Sequence, residues 1–339
     1  MRSRTITLLC ACGAFALIGL FAVSCAEPPA LVPSGPAFDG GHAYEYLVKQ
    51  CDFGARTPGS DAHAKCLELL KDELGKYCDA VTLQHFIYAD RRAQGRSIEG
   101  TNIIASINGR DPNARRILLC AHWDSRPVAD HDPNPANRSH PVPGANDGAS
   151  GVAVLLEMAR VLKAAPPPVG VDLVLFDLED MGDEGAVSGD KTANLWCIGS
   201  QQFVEKYYDA PISPTHGALK DTIRFGILLD MIGDKDLQIK LEANSREKAG
   251  DVVRRVWASA ERVGAKGFLR TRGRAITDDH IAFLERGIKV INLIDFDYPH
   301  WHTTQDTPDK CSAASLQQVG DVLVDVIYAS QEERPTTDD

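Results

Sequence analysis

Five short segments of the chain carry side chains able to bind and use a divalent metal. Ile117–Ala121 runs into His122-Trp123-Asp124, and Val171–Phe176 into Asp177-Leu178-Glu179-Asp180. Phe225–Leu229 ends in Asp230, and Lys289–Ile294 is followed by Trp301-His302. Asp147 lies in GANDG, just before a helical pattern that starts at Ala149. Imidazole and carboxylate donors suit zinc, and a catalytic zinc keeps one coordination position open for water or substrate. On extended backbone His122 and Asp124 face the same side, so Asp124 is expected to orient the His122 ring. Asp147 sits among small residues that let the backbone approach an ion. The adjacent acids Glu179 and Asp180 point in different directions, so one can ligate while the other faces substrate as general acid or base. Each element alone is weak, since a lone HxD or ED pair is commonly solvated surface and GANDGASG alone reads as a turn plus helix cap. Their strength is that all five fall in order at the ends of apolar runs. His131 and His140, in a long polar loop, are left outside the site.

The apolar runs supply the elements that position these groups. Thr101–Ile107, Ile117–Ala121, Val171–Asp177, Phe225–Asp230 and Lys289–Ile294 read as buried strands. Continuous runs such as DLVLF and VINLI suit a sheet covered on both faces. Helical spacing marks Ala62–Tyr77, Ala149–Ala164, Ser245–Val263 and Ser315–Tyr328. Trp257 falls on the apolar stripe of the third and reads as core. Alternating strands and helices predict an α/β fold, a three-layer sandwich with a central, mostly parallel mixed sheet between helices. Ligands in such folds bind beyond the carboxyl ends of the strands, where the acids and histidines stand.

Composition bounds the function. The 339 residues are 44% hydrophobic and 24% charged with a net charge of −11, which fits a folded domain and argues against disorder or a multi-span membrane protein. The acidic balance argues against a nucleic-acid binder. Nine Cys over this length are too few for a disulfide scaffold, and no pairing can be chosen among the six beyond Cys25.

The first 24 residues read as a signal segment, with Arg2 and Arg4 before an uncharged apolar stretch. Ala22-Val23-Ser24-Cys25 resembles a bacterial lipobox, which would make Cys25 the lipid-bearing first residue; ordinary cleavage nearby or an uncleaved anchor are the alternatives. Losing the segment takes the net charge from −11 to about −13. Residues 25–40, rich in Pro, Ala and Gly, read as lipid-anchor Cys and tether. Residues 41–331 form one catalytic domain, and 332–339 a polar tail. The protein is expected to be exported, periplasmic or anchored at the outer membrane, with membrane contact only through the lipid.

HWDS, GANDGASGV, FDLEDMG, LLDMIG and WHTTQDT, in this order, with FGARTPGS and DDHIAFLERGI, resemble the zinc aminopeptidase superfamily that also contains the glutaminyl cyclases. The resemblance spans roughly residues 45–330. For the aminopeptidases it implies two zincs at His122, Asp147, Asp180, Asp230 and His302, with one acid bridging. For the cyclases it implies one zinc at Asp147, Asp180 and His302, with Asp230 in a hydrogen-bond network. Two features favour the cyclases: Trp301 before the last His, where the peptidases more often carry Tyr, and the extra acid Asp278 in TDDH. The stretch from HWDSRPVAD to NDGASGV is most similar to bacterial members of the animal-type cyclases. Asp180 stands where the animal enzymes carry Glu and Asn292 where they carry His. GDEGAVSGDKTANLW does not match the animal loop that supplies a substrate-side Trp, a role Trp196 could fill.

The cyclase resemblance implies conversion of an N-terminal Gln of peptides or proteins to pyroglutamate with release of ammonia. Zinc would activate the γ-carbonyl and Glu179 would move the proton. Asp230 and Asp278 would support Glu179 through hydrogen bonds. Trp301, Trp196, Phe296 and Tyr298 would wall the pocket. The alternative is a secreted di-zinc aminopeptidase.

Overall fold

A computed structural model describes residues 35–90, 96–182, 195–213 and 216–329. The signal segment, Cys25 and the polar tail lie outside these residues. The first described helix, α1 (Gly40–Cys51), is capped by Asp39, whose carboxylate accepts from His42 N at 3.0 Å. Then follow α2 (Asp61–Tyr77), β1 (Ala80–Asp90), β2 (Arg96–Ile107), β3 (Arg116–His122), α3 (Ala149–Ala164) and β4 (Val171–Phe176). The second half holds α4 (Ile198–Tyr207), α5 (Leu219–Thr222), β5 (Ile223–Asp230), β6 (Ile239–Leu241), α6 (Ala243–Lys248) and α7 (Gly250–Val263). It ends with β7 (Phe268–Arg272), α8 (His280–Leu284), β8 (Val290–Ile294) and α9 (Ala313–Tyr328).

Six strands form one sheet in the order β1-β2-β4-β3-β5-β8. β4, β3, β5 and β8 are parallel, and β2 runs antiparallel to both its neighbours. Alternation sorts side chains onto two faces. Ile117, Leu119 and Ala121 of β3 join the core beneath α1, α2, α3, α7 and α9. Leu118 and Cys120 join a second core with Phe203 of α4 and Phe283 of α8. The result is the expected three-layer sandwich, and the four parallel strands deliver their carboxyl ends to one edge.

Two local features differ from the sequence expectation. β1 was not foreseen, because its alternation is broken by Gln84. That side chain is buried on a polar pair, accepting from Asn102 Nδ2 at 3.1 Å and donating to Gln202 O at 3.0 Å. The single helix expected over Ser245–Val263 is split at Ala249, whose backbone leaves the helical region (φ −138°, ψ 38°). Ser245 accepts from Asn292 N at 2.9 Å and so ties α6 to β8. Trp257 is core as expected, with its Nε1 donating to Leu269 O at 3.0 Å. The six cysteines Cys51, Cys66, Cys78, Cys120, Cys197 and Cys311 are free thiols among the described residues.

The turn before α3 needs its glycines. Gly144 and Gly148 take φ of +68° and +97°, in the left-handed half that L side chains avoid. A Cβ on Gly148 would sit 2.6 Å from Asp124 O. Gly148→Ala should therefore lower stability by about 1–3 kcal/mol, read as a lower midpoint in urea denaturation. An unchanged midpoint would show that the turn adapts without cost.

Candidate metal centre and catalytic site

The five segments meet at the carboxyl edge of the sheet. His122 ends β3, and its Nε2 lies 3.1 Å from Asp147 Oδ1 and 3.2 Å from Asp230 Oδ1. His302 Nε2 lies 3.4 Å from Asp180 Oδ1 and 3.8 Å from Asp147 Oδ2. Two buried triads result, His122/Asp147/Asp230 and Asp147/Asp180/His302, and in each the donor atoms lie within 4.8 Å of one another. Asp147 belongs to both, one oxygen to each.

This donor set fits a divalent cation. Asp180 Oδ2 is buried with no hydrogen-bond partner. Burial, with like charge from neighbouring acids, pushes the Asp180 carboxyl up and the Asp230 carboxyl up to about 6. Burial opposes charge on the His302 ring, but Asp180 and Asp130 outweigh it and hold the ring up at about 9. Carboxylates that repel one another around two imidazoles are the ligand chemistry that zinc satisfies.

Backbone N–H groups and buried acids fix the loops that carry the ligands. Asp124 Oδ1 lies 3.5 Å from His122 Nδ1, beside the ring. Its two oxygens also accept from Glu179 N at 3.1 Å and Asp180 N at 3.2 Å. Asp306 does the same for the other loop, accepting from Asn146 N at 2.8 Å and Asp147 N at 3.1 Å. Arg56, from FGARTPGS, donates to the carbonyls of Trp123, Pro143 and Gly144 at 3.1, 2.9 and 2.6 Å. Arg126 donates to Asp180 Oδ1 at 3.0 Å and pairs with Asp130 at 2.6 Å. Asp130 in turn lies 3.4 Å from His302 Nδ1.

Glu179 and Asp180 do diverge. While Asp180 faces His302, Glu179 Oε1 accepts from the Cys197 thiol at 3.1 Å. Glu179, Cys197 and Asp278 form a third buried group with donor atoms within 4.8 Å. Asp278 accepts from Asn292 Nδ2 and from Asp279 N, each at 2.6 Å. Burial pushes Glu179 well above the usual carboxylate range, despite the opposing charge of His122, and Asp278 up to about 7. Two acids side by side with raised affinity for protons can hold and relay one at neutral pH.

Aromatic rings gather around His302. Trp301 stacks on His302 with centroids 3.8 Å apart, and Phe296 packs on Trp301 at 4.9 Å. Trp196 lies parallel to the His302 ring at 6.0 Å, with the Arg126 guanidinium 4.8 Å over its face. Tyr298, expected in the pocket wall, is instead buried at 4% exposure, and its hydroxyl donates to Asp306 Oδ1 at 2.8 Å. Packing beside Met231 and Ile294 turns it inward. His131, left outside from sequence, sits against Trp301 at 4.5 Å and His302 at 5.5 Å. Asp130, Arg126, Cys197, Asn292 and Asp306 were not assigned roles from sequence, though Arg126 and Asp306 stand inside blocks already singled out. Among the described residues the four non-glycine positions with positive φ are Leu178, Cys197, Met231 and His302, each in or beside this site.

Residues 102–327 match the profile of peptidase family M28. Two solved structures from Bacteroides thetaiotaomicron are each 36% identical to this chain. A leucine aminopeptidase precursor superposes with TM-score 0.78 over 89% of this chain and 100% of that one. A glutaminyl cyclase bound to N-acetylhistamine superposes with TM-score 0.77 over 88% and 100%. An aminopeptidase of Bacillus subtilis is 28% identical over 65% of this chain and 43% of its own length. The glutaminyl-peptide cyclotransferase of Bos taurus is 26% identical over 66% and 64%. The chain thus spans less than two thirds of these curated relatives.

Asp306→Asn puts an amide nitrogen where one of two backbone N–H groups now finds an acceptor. It should weaken metal retention during dialysis against a chelator about tenfold or more. Tyr298→Phe, which removes one donor to the same acid, should weaken it less. Equal retention in all three proteins would remove Asp306 from metal positioning.

Proposed function

The chain belongs to peptidase family M28, and from that premise we propose that it is a zinc-dependent glutaminyl-peptide cyclotransferase, an acyltransferase acting on N-terminal Gln of peptides or proteins. The observation that carries this reading is Asp278, a second buried acid grouped with Glu179 at the metal edge. Likeness to solved glutaminyl cyclases along nearly the whole chain supports it.

In this reaction the substrate's α-amine attacks its own γ-amide carbon. A C–N bond forms to close the ring, the γ C–N bond breaks, and a proton passes from the α-amine to the departing ammonia. Asp147, Asp180 and His302 are the proposed holders of a zinc that, when bound, polarises the γ-carbonyl. Glu179 accepts the amine proton and returns it to the leaving nitrogen. Asp230 and Asp278 hold the proton balance around Glu179, while the Cys197 thiol fixes its carboxylate. Trp301, Trp196 and Phe296 wall the pocket and exclude water from the folded-back side chain.

The shared acid Asp147 and the complete triad at His122 and Asp230 favour one alternative, a di-zinc aminopeptidase. Incubation with Gln-led and Leu-led dipeptides separates the two. Ammonia and a pyroglutamyl product from the first, with the second intact, is the expected outcome; cleavage of the Leu-led peptide would overturn it. Glu179→Gln should keep zinc and lose turnover by about 10²–10⁴-fold, whereas His302→Ala should lose zinc. Wild-type turnover in the Gln variant would exclude Glu179 as the proton carrier. We also propose export with lipidation at Cys25, supported by Arg2, Arg4 and the apolar stretch before AVSC. Mass spectrometry of the membrane-extracted protein should find a diacylglyceryl Cys25 as first residue, and an unmodified N-terminus elsewhere would refute it. Among the described residues no helix is long and apolar enough to cross a membrane.

A further inference from the structure

The aromatic wall of the site leads outward to a stacked guanidinium. Trp301 stacks on His302 at 3.8 Å, Phe296 packs on Trp301 at 4.9 Å, and the Arg274 guanidinium lies 4.9 Å over the Phe296 ring. Burial falls along this series. His302 is 2% exposed, Trp301 and Phe296 are half-buried, and the Arg274 side chain is 64% exposed. Three steps therefore lead from a proposed zinc ligand to solvent. Met231, Ile276 and Ile294 pack with the two rings and hold them. A guanidinium resting on an aromatic face is oriented by the ring while its N–H edges stay at the surface.

The neighbouring charges are mostly engaged elsewhere. Lys240 pairs with Asp297, and the same carboxylate approaches Arg274 only to 4.0 Å. Asp295 accepts from Gln238 N at 2.7 Å and Asp297 N at 3.2 Å. Glu242 is buried and accepts from Asn244 N, Ser245 N and Ile276 N at 2.9, 2.6 and 3.0 Å, with the His280 ring 3.4 Å away. Lys240, Arg274, Phe296 and Asp297 line a shallow recess beside the rings. On its solvent side two cations thus share one exposed carboxylate.

We propose that Arg274 is a specificity-determining residue that favours an acidic side chain at the second or third position of the peptide, an inference that rests on the cyclotransferase reading. When the first residue folds its side chain toward the metal, the rest of the peptide leaves along the rim where exposure rises. Extended chain advances roughly 3.3 Å per residue, so one or two residues, with the reach of an acidic side chain, cover the three ring-to-ring steps. Arg274 then offers paired N–H donors to the substrate carboxylate. Its exposure keeps the effect modest, since surface ion pairs are worth a factor of about two to five.

The full-length, zinc-loaded protein is assayed for ammonia release at low salt with two pairs of C-terminally amidated peptides, Gln-Glu-Ala against Gln-Lys-Ala and Gln-Ala-Glu against Gln-Ala-Lys. In at least one pair kcat/KM for the acidic member should exceed that for the basic member by about two- to fivefold, and added salt should shrink the ratio. Arg274→Gln should lower the ratio, Arg274→Glu should invert it, and Arg274→Lys should keep most of it. Loss of packing on Phe296 alone would slow both members of a pair alike and leave the ratio in place. Equal kcat/KM within both pairs, a basic preference, or a ratio that neither the Gln nor the Glu variant moves overturns the proposal while the cyclotransferase function stands. No ammonia from any of the four peptides overturns that function and the proposal with it.

Discussion

The rest of the structure depends on the cost of bringing acids together out of water. Asp147, Glu179, Asp180, Asp230 and Asp278 are each at most 9% exposed, and all converge on one sheet edge. An ionised carboxylate taken out of water without a partner costs several kcal/mol, and mutual repulsion adds to that. The chain offers His122, His302 and Arg126 as counter-charges, which leaves the acids in excess. A divalent cation would remove the excess, so on the proposed reading the metal is a condition for this packing, and its binding would be coupled to local folding.

The scaffold follows from that condition. Ligand atoms on separate loops must hold position even when their charges would drive them apart. Asp124 and Asp306 do this by gripping backbone N–H groups beneath Glu179, Asp180, Asn146 and Asp147. Their charge is used on the neighbouring backbone rather than on a metal. Left-handed backbone at Leu178, Cys197, Met231 and His302 is kept because the surrounding packing overdetermines it. Strain gathers where direction matters more than local comfort: beside Glu179, after Asp230 and at His302 itself.

The legible part of the sequence was the part governed by one-dimensional pattern. Runs such as DLVLF and VINLI are buried on both faces, so their strands could be read, and with them the edge to which His122, Asp180 and Asp230 are delivered. β1 escaped because a buried amide pair, Gln84 with Asn102, stands where an apolar residue would keep the alternation. The break at Ala249 escaped because it answers a contact from Ser245 to a strand more than forty residues away. Side-chain direction was least legible. Tyr298 and Trp301 are both aromatic and near neighbours, yet one turns inward to Asp306 and the other faces the ligands. Nothing in their types decides that; the cluster around Met231 does. Cys197 reaches Glu179 from 18 residues along the chain, and no spacing rule points to such a thiol.

A parallel sheet has two chemically distinct edges, and this one separates charge between them. The carboxyl edge holds buried acids, and the amino edge the guanidiniums of Arg115, Arg224, Arg255 and Arg286. The length of β5, at roughly 3.3 Å per residue, sets the two about 25 Å apart, beyond the Debye length of about 8 Å at physiological salt. The cations at the far edge therefore do little to relieve the acids at the metal site. Each edge has to be neutralised by something close to it. At the carboxyl edge His122, His302 and Arg126 supply the counter-charge. At the amino edge Asp209 and Asp251 each answer one lysine, Lys220 and Lys289. Net charge, as an average over the whole chain, is silent about this separation, because it follows from strand direction.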